Sequence, residues 1–210
     1  MSLVLAAVLG YLLGAIPFGL IIGRLTKGID LREYGSHRTG ATNALRTLGT
    51  RAAAAVFLLD VAKGVAAVVV ARVLFGGDPL AEWAAAVAGV AAIVGHNWSL
   101  FIGFTGGRGV ATSAGALGAM SPWTILLVAP IVVLVIWRSR YVSLGSVTGA
   151  LAAPVITAAL AAVGAASVPA VAYALASGLL VTAAHADNIG RLRAGTERKI
   201  GQKEAVSPHG

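Results

Sequence analysis

A bundle of membrane-spanning helices is the fold this sequence predicts, and three observations predict it. Of the 210 residues, 58% are apolar and only 11% charged, roughly half the charged share of a soluble domain. Apolar runs near the roughly 20 residues that cross a hydrocarbon core of about 30 Å as a helix recur along the whole chain. The mean hydropathy is +0.86, and the alternating pattern of a barrel strand is absent. Helices then remain as the structures that satisfy their own backbone in lipid.

Apolar helices are expected at about 2–23, 52–76, 80–102, 110–119, 124–137, 144–163 and 168–185, an all-α bundle of seven. The first begins Met1-Ser2-Leu3-Val4 without the basic stretch of a signal peptide and runs on to Gly23, so it reads as a retained helix. Its Gly10-x-x-x-Gly14 and Gly19-x-x-x-Gly23 pairs suit close helix packing. The second carries Asp60 and Lys63 at i and i+3, expected to pair as ionisable groups in lipid do, with a substrate contact as the second reading. The segments 110–119 and 124–137 are short. Fourteen residues reach only about 21 Å, so these two are thinned, packed inside the bundle, or joined as a re-entrant hairpin. Residues 1–203 read as one domain without repeats, and 204–210 as a short flexible tail.

Charge orients the bundle. Arg24, Lys27, Arg32, Arg38, Arg46 and Arg51 fill the first long loop. Arg108 lies in the third connection, Arg138 and Arg140 in the fifth, and Arg191, Arg193, Arg198, Lys199 and Lys203 in the tail. These alternate connections hold 14 of the 16 Lys and Arg residues, while the opposite ones carry only Asp78 and Glu82. The positive-inside rule then puts the N-terminus outside and the C-terminus in the cytoplasm. The same rule, with anionic lipid as the partner, accounts for the net charge of +8 without nucleic acid. With no cysteine, disulfides, thiolate metal sites and cysteine nucleophiles are excluded. No HExxH motif, acidic cluster or close histidine pair suggests a metal, and no Gly-x-Ser-x-Gly suggests a hydrolase elbow.

Three polar segments share the basic face. The first runs from Tyr34 to Arg46 and combines Gly35 and Gly40 with Ser36, Thr39, Thr42, Asn43, Arg38 and Arg46. Glycine-bearing turns expose amides that cradle anions, and arginine clamps phosphate through parallel hydrogen bonds. A solvated loop with an arginine-anchored interfacial helix explains these residues equally well. The second runs from Gly95 to Thr112, and its core Thr105-Gly-Gly-Arg-Gly-Val-Ala-Thr112 feeds straight into a helix. Free N–H groups and the positive end of that helix, with Arg108 beside them, favour phosphate over a plain structural turn. It is not a Walker loop, because the Lys-Ser/Thr ending is missing. The third runs from His185, at the end of the last helix, through Asn188 to Lys199.

Together these segments resemble the bacterial acyl-phosphate-dependent glycerol-3-phosphate acyltransferases. The matching stretches are Gly35-Ser36, Gly40-Ala-Thr-Asn-Ala-Leu-Arg46, Gly95-His96, Gly106-Gly-Arg-Gly-Val-Ala-Thr112, and His185-x-x-Asn188-Ile-x-Arg191-Leu-x-x-Gly195-Thr-Glu197-x-Lys199. They cover about a quarter of the chain. The resemblance implies a multi-pass enzyme of the bacterial inner membrane with its active site facing the cytoplasm. It would move a fatty acyl group from acyl phosphate to the 1-hydroxyl of glycerol 3-phosphate, with no cofactor or metal. By the same resemblance Ser36, Arg46, Arg108 and His185 are expected to be catalytic. Thr42, Asn43, His96, Gly106, Gly107, Gly109, Thr112, Asn188 and Glu197 are expected to bind substrate.

Two positions depart from the family pattern. His37-Arg38-Thr39 follows Ser36 where Gly-Asn is usual, and Arg108 stands at a lysine position, which keeps the charge but changes its geometry. The Gly106–Gly109 turn is the expected seat of the donor phosphate, with Arg46, Arg108, Ser36 and Asn188 on glycerol 3-phosphate and His185 near its hydroxyls. Either His185 or a substrate phosphate takes the hydroxyl proton, and the chemistry favours the phosphate, leaving His185 to orient. A transporter of a phosphorylated metabolite is the rival, since glycine-interrupted helices suit one. The gathering of polar groups at one face rather than the midplane argues against it.

Overall fold

The computed structural model describes residues 1–202, so Lys203 and the expected tail 204–210 lie outside the described residues. Ten α-helices follow in order among them, namely α1 (Ser2–Ala15), α2 (Phe18–Lys27), α3 (Ala41–Thr47), α4 (Thr50–Phe75), α5 (Ala81–Asn97), α6 (Val110–Met120), α7 (Pro122–Ser139), α8 (Val142–Ala162), α9 (Val168–Ala184) and α10 (Ala186–Arg193). Five spans are long and apolar enough to cross a membrane, or six when α9 is taken with α10. The seven expected segments are all helical, with four amendments.

The first segment is not one straight helix. It breaks at Ile16-Pro17, where proline removes an N–H and frees carbonyls of the preceding turn. In lipid those carbonyls need partners. Ser99 Oγ donates to Ala15 O at 2.6 Å, and Lys63 Nζ donates to Ile16 O at 2.9 Å. Lys63 also pairs with Asp60 at 3.0 Å, and His96 Nδ1 lies 3.5 Å from the same carboxylate oxygen. The expected Asp60–Lys63 ion pair is present, and the broken helix supplies its reason.

The second amendment concerns α7. It extends to 18 residues, about 27 Å, and is not too short to cross. Of the two segments expected to be short, only α6 is, at 11 residues. A single non-helical residue, Ser121, turns the chain between them. Third, the segment expected over 80–102 ends as an α-helix at Asn97 and finishes in a 3-10 turn at Leu100–Ile102. Fourth, the last segment bends by 60° at His185 and continues as α10.

Close backbone approach holds the bundle together. A side chain at Gly10 or Gly14 would overlap Ala88 or Ala92, so α1 lies directly on α5, as the glycine spacing predicts. Gly64 of α4 meets Thr112, and Gly115 of α6 meets Val61, which brings α4 and α6 equally near. The core is correspondingly small-chained, with Ala84, Ala85, Ala88, Ala92 and Ala116 around Ile93 and Tyr173. Tyr173 Oη donates to Ser113 O at 2.9 Å and ties α9 to α6. At one end of the bundle the connections are tight. There Arg72 of α4 pairs with Glu82 of α5 at 2.8 Å and donates to Ala119 O of α6 at 2.6 Å. The other end carries all three polar segments.

Candidate active site

The three segments converge on one cavity of about 560 Å³. From the first segment Ser36, Thr42, Asn43 and Arg46 line it, together with His37 and Arg38. From the second come His96, Arg108 and Gly109, and from the third His185, Asn188 and Glu197, with Asp187, Arg191 and Arg198 beside them. Ten of the thirteen expected site residues therefore face one space. Gly106, Gly107 and Thr112 do not line it.

Local geometry explains the first wall. Asn43, almost fully buried, donates through Nδ2 to Leu31 O, Tyr34 O and Arg38 O at 2.9–3.0 Å, and accepts from Ser36 N at 3.0 Å. Its amide is spent on the loop, so Asn43 shapes the turn that presents Ser36. Gly35 takes φ of +61°, and a side chain there would overlap the Asn43 amide. His37 adopts φ of +55°, unusual for a residue with a Cβ, and is held by a 2.9 Å contact from Nδ1 to Arg32 O. Arg32 also pairs with Asp30 and donates to Ile102 O and Thr105 Oγ1, each at 2.8 Å, tying the first segment to the second.

The glycine-rich turn works differently from the sequence expectation. Gly107 N–H donates to His96 O at 3.1 Å, so that amide is already engaged. Side chains at Gly106 or Gly107 would overlap His96 and Asn97, which makes these glycines close-packing positions behind the cavity. Gly109, Val110 and Ala111 line it instead, and they begin α6, whose first N–H groups have no partner within the helix. Thr112 is fully buried where α6 meets α4. The turn thus offers an anion the helix N-terminus from Gly109 to Ala111, while the Gly107 amide is spent on His96 O.

Arg108 reaches across to the third segment. Its Nε donates to Ala184 O at 3.2 Å, and its Nη2 pairs with Asp187 at 2.8 Å. Burial works against the charge and lowers its pKa, with Asp187 opposing. His185 stands at the bend between α9 and α10, with Nδ1 2.7 Å from Val181 O. A carbonyl only accepts, so Nδ1 carries the proton, and a neutral ring has Nε2 as its acceptor.

Glu197 is nearly buried and collects Ser143 Oγ at 2.8 Å, Asn188 Nδ2 at 2.7 Å and Arg191 Nε at 2.7 Å. Burial pushes its carboxyl up, yet those hydrogen bonds outweigh it and hold the pKa below the usual 4.5. Glu197 therefore orients Asn188 and fastens the segment after α10 to α8. Sequence reasoning did not single out Ser143 or Asp187 as site residues. Ser143 has no local signal among the serines of an apolar helix, whereas Asp187 lies inside the third segment. A wall of Phe57, Val132, Ile136 and Val142 completes the cavity on its apolar side. Among the described residues, no group of three or more His, Cys, Asp or Glu side chains is gathered as metal ligands would be.

Known proteins share this sequence pattern and fold. Residues 4–195 match the family described as Glycerol-3-phosphate acyltransferase. A Synechococcus glycerol-3-phosphate acyltransferase is 47% identical, with 99% of this chain and 98% of the relative covered. One from Thermoanaerobacter is 44% identical, with 98% and 100% covered. A crystal structure of PlsY (YgiH), an integral membrane glycerol 3-phosphate acyltransferase in its glycerol 3-phosphate form, superposes with a TM-score of 0.84. That structure is 37% identical and covers 96% of each chain. Its lysophosphatidic acid form gives 0.83 at 36% identity. The chain belongs to the integral-membrane glycerol-3-phosphate acyltransferase family.

Proposed function

We propose that this protein transfers a fatty acyl group from acyl phosphate to the sn-1 hydroxyl of glycerol 3-phosphate, giving lysophosphatidic acid and phosphate as the first step of phospholipid synthesis. The observation that carries the reading is the two-sided cavity. Arg38, Arg46, Arg108, Arg191 and Arg198 line it together with an apolar wall of Phe57, Val132, Ile136 and Val142. Clustered cations suit two phosphorylated substrates and offset their mutual repulsion. The apolar wall suits a fatty chain whose polar head reaches the arginines. Relatives named for the acceptor, and a related enzyme solved with glycerol 3-phosphate, support that half of the reaction.

In this reading the hydroxyl oxygen attacks the acyl carbonyl carbon, and the bond from that carbon to the phosphate oxygen breaks. Phosphate leaves readily and carries the proton away, so positioning supplies much of the catalysis. The unpartnered N–H groups at the start of α6 face the developing oxyanion. Ser36 and Arg46 hold the acceptor phosphate, and His185 Nε2 orients the hydroxyl. The basic residues of these connections support a site that faces the cytoplasm, in a bacterial inner membrane.

The test offers labelled glycerol 3-phosphate to the purified protein in detergent with palmitoyl phosphate, palmitoyl-CoA or palmitoyl-acyl carrier protein in separate reactions. Lysophosphatidic acid is expected from palmitoyl phosphate alone. Product from either thioester instead, or from no donor, overturns the choice of donor.

A further inference from the structure

Asp187 lies against two of the five arginines that line the cavity. Its Oδ2 accepts from Arg108 Nη2 at 2.8 Å and from Arg191 Nη1 at 3.3 Å, and all three residues line the cavity. The two guanidinium groups come from different elements, the turn before α6 and the helix α10. A carboxylate oxygen between two guanidinium forks presents the ligand chemistry that a phosphate oxygen would present there.

The two acids of the third segment are built for different work. Glu197 is 5% exposed at its side chain and takes Ser143, Asn188 and Arg191 as donors. Asp187 is 47% exposed, and both its contacts fall on one oxygen. Arg108, by contrast, is 16% exposed and is anchored a second time on Ala184 O. In the Arg108–Asp187 pair the arginine is the fixed member and the acid the exchangeable one.

We propose that Asp187 is an internal stand-in for phosphate. It occupies Arg108 and Arg191 in the resting enzyme, yields them to an incoming phosphoryl group, and by returning competes the phosphate product off. The inference rests on the reading above, in which the clustered arginines, Arg108 among them, take the phosphates of the two substrates. The role is positional and electrostatic, and no bond to Asp187 forms or breaks. Its cost is weaker ground-state binding of phosphate, and its gain is release of an anion that a bare pair of arginines would retain.

Inorganic phosphate is the probe. Its binding is measured by thermal stabilisation of the purified, detergent-solubilised protein, and its inhibition constant is measured in the acyl-transfer assay. Asp187→Asn should bind phosphate roughly fivefold more tightly than the parent, because one competing charge is removed. The gap should narrow as salt is raised. Asp187→Glu should stay within about twofold of the parent, since the carboxylate is kept. Asp187→Ser removes the same charge with a smaller side chain, should the asparagine variant fold poorly. Phosphate binding that is unchanged or weaker in the neutral variants overturns the proposal. A merely structural ion pair would give that result, because losing it loosens Arg108. Arg108→Ala in the same thermal assay tests the underlying reading separately. If phosphate stabilises that variant as well as the parent, Arg108 is not the phosphate ligand.

Discussion

The two ends of the bundle use the same residue types to opposite effect. At the closed end, chain reversals are short, with the single residue Ser121 joining α6 to α7. Its polar groups answer one another. Arg72 forms paired hydrogen bonds with Glu82 and a third with Ala119 O, and Ser121, Thr124 and Thr157 join through their hydroxyls. At the site end the three polar segments bring five arginines to one cavity. Arg32 ties two of the loops together, and Glu197 fastens the third against α8. Arg108 is left with a half-exposed acid as its counter-charge. A fully answered arginine such as Arg72 serves as a clamp, whereas the proposed exchange of Asp187 for phosphate would make Arg108 a binding group.

That contrast can be broken most sharply at Arg108. Arg108→Ala should lower kcat/KM by about 10²-fold in protein that remains folded, the scale seen when one pre-organised donor is lost. Unchanged kinetics would place Arg108 with Arg72 as a structural group. His185→Gln should cost about tenfold or less in kcat at saturating substrate, because its proposed task is to orient the hydroxyl. A loss near 10³-fold would assign it the proton instead.

Glu197 offers a pH signature. Its folded pKa lies below 4.5, so its stabilisation is complete above that value and is lost as pH falls through the folded pKa. Glu197→Gln should lower the melting temperature near neutral pH and flatten its decline on acidification. An identical acid profile in the variant would show that this fastening contributes nothing. Smallest of all is Arg72→Ala. The pair is partly exposed on both sides, which limits its worth to about 1 kcal/mol. It should lower the melting temperature slightly and leave kcat/KM within about twofold. A large activity loss would mean that the closed end communicates with the site.

Much of this molecule is legible locally. Apolar length announces every helix of the seven but not the full reach of α7, nor the break at Pro17, where an otherwise favourable run conceals one proline. The Asp60–Lys63 pair is readable at i,i+3, but not its reason, since Ile16 O comes from another helix. The polar segments declare phosphate chemistry by composition, yet composition does not divide the labour within them. Asn43 looks like a ligand and serves as a loop organiser. Gly106 and Gly107 look like an anion cradle and instead let the chain pass close to His96.

By itself the sequence determined the helical membrane fold, the clustering of basic residues in alternate connections, and the three motifs that match the family. These depend on properties read within one turn or one span, namely hydropathy, charge and residue type. Only the tertiary structure decided that α6 is recessed against α4, that Arg108 meets Asp187 across 79 residues of chain, and that Ser143 supports Glu197. Such contacts are set by how helices approach one another, and small residues such as Gly64 and Gly115 fix that approach by what they leave out.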